Sequence, residues 1–79
     1  PSPVEVTIGR EALDRYERAL EMLSTTERAL VIARVEMGSS YAEVAEETGR
    51  PSADAARVAV SRALLALASH MRALERGAP

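Results

Sequence analysis

The side chains best equipped for chemistry in this sequence are arginines. Arg57 and Arg62 stand in the stretch Glu36 to Ala63 (EMGSSYAEVAEETGRPSADAARVAVSRA), beyond a turn marked by Gly49, Arg50 and Pro51. A guanidinium holds five N–H donors in a planar fork, which suits guanine O6/N7 or a phosphate. If this segment is helical, its positions off the apolar stripe include Ala53, Asp54, Arg57, Val58, Ser61 and Arg62. Arg57 and Ser61, four apart, then share one face. A serine hydroxyl donates to a base edge or a phosphate alike. The chemistry on offer is nucleic-acid recognition. Catalysis has less to stand on. His70 has no Cys and no second His beside it, and reads as a helix-surface residue rather than a metal ligand. Glu43, Glu46 and Glu47 fall at helical spacing, but no nucleophile accompanies them, so they read as solvated carboxylates. No catalytic constellation emerges, and neither an enzyme nor a cofactor is expected.

The elements that must carry these side chains follow from periodicity. Pro1 to Ile8 (PSPVEVTI) holds two prolines and no helical repeat, which predicts an extended linker or tail over residues 1–9 and a folded domain over 10–76. From about Gly9, Leu13, Tyr16, Leu20 and Leu23 recur three or four apart, as in an amphipathic helix. Ser24-Thr25-Thr26-Glu27 is a capping box, and the second helix is expected to run to Met37, with Leu30, Ala33 and Met37 on one face and Val31 and Val35 beside it. Gly38 suits a left-handed stop. Ser40-Tyr41-Ala42-Glu43 repeats the box and opens a short third helix, Tyr41 to Thr48, with Val44 and Ala45 inward. After Gly49 and the Arg50-Pro51-Ser52 turn, Ser52 is the expected N-cap of a fourth helix, Ala53 to about Arg76, with Asp54 near its positive end. Its apolar stripe is Ala56, Val60, Ala63, Leu67, Met71 and Leu74. Met22, Met37 and Met71 are expected to fill gaps in the core. The fold class is all-α, four helices, with a short helix, a turn and a longer helix in helix-turn-helix order. The same pattern also fits a plain four-helix bundle with solvated arginines.

Composition sets the frame. Seventy-nine residues make one thin-cored domain, 47% hydrophobic and 28% charged. All ten cationic residues are Arg. The net charge of −2 runs against a nucleic-acid binder, but it is unevenly spread. Residues 1–48 hold five Arg against ten acids, net −5, whereas residues 49–79 hold five against two, net +3. A basic C-terminal segment on an acidic body is compatible with one DNA-facing surface. The absence of Cys makes a reducing cytosol the default compartment. No apolar run nears the roughly 20 residues of a membrane span, so a cytoplasmic protein without membrane association is expected. The chain opens on Pro1 rather than Met, as an excised or processed piece would.

At these residues the sequence resembles a known family. Leu23-Ser24 with Glu27, then Ala33-Arg34-Val35-Glu36-Met37-Gly38-Ser39-Ser40-Tyr41-Ala42-Glu43-Val44-Ala45-Glu46, is similar to the fourth conserved region of sigma-70-type factors, closest to the extracytoplasmic-function group. Ala55-Ala56-Arg57-Val58-Ala59-Val60-Ser61-Arg62-Ala63 follows that family's reading-helix pattern, and the resemblance runs from about Leu23 to Leu67. It implies a domain of the winged-helix-like DNA-binding superfamily that reads the promoter −35 element and directs RNA polymerase. Arg57, Val58, Ser61 and Arg62 then meet bases and phosphates. Arg34 matches an Arg that contacts the DNA backbone, Tyr41 packs in the turn, and Ser52 and Ala53 sit where backbone amides receive a phosphate. Implied partners are double-stranded promoter DNA, the β-subunit flap of the RNA polymerase core, and an anti-sigma factor. The promoter-melting domain of a complete factor is not among these residues.

Three departures bear on that expectation. The Arg50-Pro51-Ser52-Ala53-Asp54 turn is one residue longer than the commonest version, Asp54 sets a negative charge near DNA phosphates, and Leu64 stands where Arg is frequent. Each weakens the electrostatic footprint and predicts modest affinity with a shallow salt dependence. Two other readings remain. A LuxR-type output domain shares the four-helix design, but its Thr-Val-Lys-x-His reading helix is absent here. A protein-interaction module, held by an anti-sigma factor or polymerase, accords with the acidic N-terminal half.

Overall fold

The computed structural model describes residues 3–77, with side chains from Gly9 to Gly77. Among these residues the chain forms α1 (Pro3–Met22), α2 (Thr25–Val31) with a π-helical continuation (Ile32–Glu36), α3 (Tyr41–Thr48) and α4 (Ala53–Glu75), and no strand. Both capping boxes form. Ser24 Oγ accepts from the Glu27 amide at 3.1 Å while Glu27 Oε1 accepts from the Ser24 amide at 2.9 Å. Ser40 and Glu43 repeat the arrangement at 3.1 and 2.8 Å. Each box satisfies two amides that a helix start leaves without partners.

Two expectations about the elements need correction. Residues 3–9, expected to be extended, belong to α1. Pro3 is its first residue, where a helix has no use for an N–H and proline's fixed φ is already helical. The second helix is also not α-helical to Met37: its last turn widens, and Met37 N donates to Ile32 O at 2.9 Å, an i→i+5 bond. That turn holds roughly one more residue than an α-turn, so it rotates the following positions off the inner face. Leu30, Val31 and Ala33 are buried as expected, but Val35 is exposed and Met37 is 73% exposed. Met22 and Leu13 are likewise exposed, and among the methionines only Met71 packs against the core.

α4 is the spine, packing against α1, α2 and α3 in turn. The core comprises Ala19, Leu20, Leu23, Leu30, Val31, Ala33, Val44, Ala45, Ala56, Val60, Ala63 and Leu67. Five of these twelve are alanines, which lets helix backbones approach closely. The fully buried side chains of greatest volume are Val31, Val44 and Val60, one each from α2, α3 and α4. They belong to the core cluster through which α2 and α3 pack on α4. Arg28 closes the α1–α2 corner: its Nε donates to Leu20 O at 3.0 Å and its Nη2 to Glu21 O and Leu23 O at 3.1 and 3.3 Å. The guanidinium thus caps the end of α1, adding a second donor to Leu20 O, which already accepts from Leu23 N at 3.1 Å, and engaging the Glu21 and Leu23 carbonyls.

Candidate nucleic-acid interface

The surface that matters is built by the end of α3, the turn after it and the first half of α4. Gly49 ends α3 at φ 72°, and Arg50 N closes the turn on Ala45 O at 2.8 Å. Ser52 caps α4, its Oγ accepting from the Ala55 amide at 3.1 Å. The amides of Ala53 and Asp54 lie in the first turn, ahead of any helical acceptor. Ser52 and Ala53 are both exposed at this end.

Beyond the cap, the apolar stripe seats α4 on the rest of the domain: Ala56, Val60, Ala63 and Leu67 are buried, with Met71 and Leu74 packed against them. Arg57, Ser61 and Arg62 are consequently exposed, and Val58 is half-buried. At about 100° per residue, Arg57, Ser61, Val58 and Arg62 succeed one another around the helix within an arc of about 140°. An arc of that width, apolar and hydroxylic at its centre and cationic at both edges, suits a helix lying in a groove walled by phosphates.

The members of the arc differ in their engagements. Arg57 is held by Asp54, with Nη2 and Nε donating to Asp54 Oδ1 at 2.8 and 3.1 Å. Ser61 Oγ donates to the Arg57 carbonyl at 2.9 Å, one turn back. Arg62 has no ion-pair partner among the described residues; it lines a shallow groove with Arg50, Ala59, Ser24, Thr26 and Glu27. Arg50 was not among the residues singled out from sequence, because a turn residue has no periodicity to assign it a face. From sequence, Asp54 has a place at the positive end of α4 and a repulsion toward phosphates but no partner, although its i, i+3 spacing to Arg57 is visible in the chain.

Arg34 stands apart from this group. It is half-buried at the end of the π-helical turn, its guanidinium lies 4.2 Å from the centroid of the Tyr41 ring, and its Nη1 donates to Ser39 O at 2.9 Å. In this position it braces the bend between the π-helical turn and α3, with Tyr41 half-buried beneath it. The structure therefore gathers Ser52, Ala53, Arg57, Val58, Ser61 and Arg62 on one stretch of α4 and its cap, and gives Arg34 contacts of its own.

The comparison with known proteins agrees with this geometry. A family model described as Sigma-70, region 4 matches residues 13–67, from within α1 through the outward arc of α4. No curated protein and no solved structure matches the chain. The matched span reaches further toward the N-terminus than the motifs at Leu23 to Leu67, taking in the α1 residues that bury Ala19 and Leu20 against the core. Covering most of the chain and every element of the helix-turn-helix, the match shows that this protein belongs to the sigma-70 region 4 family of DNA-binding, non-catalytic transcription domains.

Proposed function

We propose that this domain reads the promoter −35 element as part of an extracytoplasmic-function sigma factor, acting in the cytoplasm to position RNA polymerase at the start of transcription. The observation that carries the reading is the outward arc of Arg57, Ser61, Val58 and Arg62, seated on a buried stripe within the region 4 match. In this reading α4 lies in the major groove while α3 crosses the backbone. Arg57 and Arg62 reach guanine edges or phosphates, Val58 meets an apolar base edge, and Ser61 lies between them. Ser52 and the Ala53 amide take a phosphate at the helix start, and Arg34 offers a second backbone contact through donors not engaged by Ser39.

Anisotropy titrations of short promoter duplexes at two salt concentrations test this. Arg57→Ala and Arg62→Ala should each weaken binding at least about fivefold, the lower bound of what one arginine contact contributes. Loss of a phosphate contact should also reduce the salt slope by roughly one. Variants that bind like wild type, or a wild type that binds no duplex in low salt, would sink the reading.

A second reading has its own support. Met37 is 73% exposed beside exposed Val35, an apolar spot on the acidic half of the molecule. Such a surface suits docking to the RNA polymerase core through its β-subunit flap, or to an anti-sigma factor. Capture of core polymerase that Met37→Glu abolishes, with duplex binding unchanged, would favour this role alongside DNA reading.

A further inference from the structure

The three ion pairs among the described residues are not alike. Arg15–Glu75 and Arg18–Asp14 are loose, at 3.9 and 3.8 Å, whereas Arg57–Asp54 closes to 2.8 Å with a second bond at 3.1 Å. Both partners of the tight pair are exposed, with side chains 52% and 78% accessible. A water-exposed pair of this kind adds little to stability. Its consequence is geometric: Asp54 occupies the Nε–Nη2 side of the guanidinium, and among the described residues nothing partners the Nη1–Nη2 end. A planar guanidinium has two such forks, so it can hold a carboxylate along one and present the other to guanine O6/N7 at the same time.

Resting on the promoter-reading function above, we propose that Asp54 is a positioning residue that aims Arg57 and thereby creates a guanine preference at one base pair. Fixing Arg57 before contact removes the rotamer freedom it would otherwise lose on binding. Arg62, which no carboxylate orients, contributes affinity without direction. The carboxylate carries a cost, because its charge repels nearby phosphates and lowers affinity for every duplex. Asp54 exchanges general affinity for discrimination.

The test is enrichment of a pool of duplexes with a randomised core by wild type, Arg57→Ala, Asp54→Ala and Asp54→Asn, with pool affinity measured in parallel. Wild type should enrich guanine about tenfold at one position, and Arg57→Ala should abolish that preference. Asp54→Ala should bind the whole pool more tightly while its preference falls to about threefold or less. Asp54→Asn, which keeps the acceptor oxygen without the charge, should retain more of the preference than Asp54→Ala. A role for Asp54 confined to stabilising the start of α4 would move all duplexes together and leave the ratio unchanged. Retention of wild-type enrichment by Asp54→Ala, at a position that Arg57→Ala loses, overturns the proposal and leaves promoter reading intact. A wild type that discriminates at other positions but at none through Arg57 overturns the proposal alone, and a wild type that enriches no duplex overturns promoter reading with it.

Discussion

Tyr16 and Glu36 lie twenty positions apart in sequence, yet Tyr16 Oη donates to Glu36 Oε2 at 2.9 Å and ties α1 to the end of the π-helical turn. Burial of the phenol, reinforced by that bond and by the carboxylate's charge, pushes its pKa up to about 12 from an ordinary value of 10.0. The folded value is the higher one, so this contribution to stability is complete below pH 10 and is lost as pH rises toward 12. Spectrophotometric titration should find one phenol ionising near pH 12 that Tyr16→Phe lacks. Glu27 and Glu43 shift the other way. The Ser24 and Ser40 amides donate to their carboxylates and hold both below the usual range. Their contribution is present above the ordinary carboxylate pKa and fades as pH falls through the lowered one. Acid and strong base thus loosen different joints: the helix starts in one case, the α1–π-turn tie in the other.

Among the elements, the joint between α3 and α4 governs which way α4 faces. Gly49 holds φ at 72°, a conformation that L side chains adopt at a cost, and a Cβ added there meets nothing within 4 Å. Backbone strain alone is therefore at stake. Gly49→Ala should destabilise the domain by about 1 kcal/mol, seen as a lower urea midpoint at unchanged slope, and Gly49→Asn by less. The helix starts, stops and inner faces were legible beforehand because capping and glycine chemistry act within four residues. The π-helical turn was not. Its i→i+5 bond competes closely with the α pattern, and local residue types do not decide between them. Met37, which an α-helical wheel sets beside Leu30 and Ala33, reaches solvent beyond that widened turn.

The whole molecule is a slab, 44 × 29 × 15 Å, with a radius of gyration of 14.2 Å against roughly 11–12 Å for a compact chain of this length. The elongation follows from α4, whose 23 residues span about 35 Å. A body this thin has little interior, and Val31, Val44 and Val60 are the largest of its fully buried side chains. Val60 is 1% exposed. Its truncation to Ala should cost about 2 kcal/mol through two lost methyl groups and the space they leave. For a domain of this size the total is roughly 4–12 kcal/mol, so urea unfolding will register the change clearly. Duplex affinity of the variant should fall only in step with its unfolded fraction, because Val60 itself faces inward.

The sequence by itself determined the number and order of helices, both capping boxes, the glycine stops and the buried stripe of α4. These depend on interactions within a turn or two of chain, and the residues that make them are neighbours in sequence. From the stripe, the outward position of Arg57, Ser61 and Arg62 followed directly, since a helix that buries one face must present the other. Tertiary structure alone decided that Arg34 stacks on Tyr41, that Arg28 closes the end of α1, that Arg50 shares a groove with Arg62, and that Met37 lies open. Each of these depends on how helices meet or on close competition between backbone patterns, and there distance in space, rather than residue type, selects the partner.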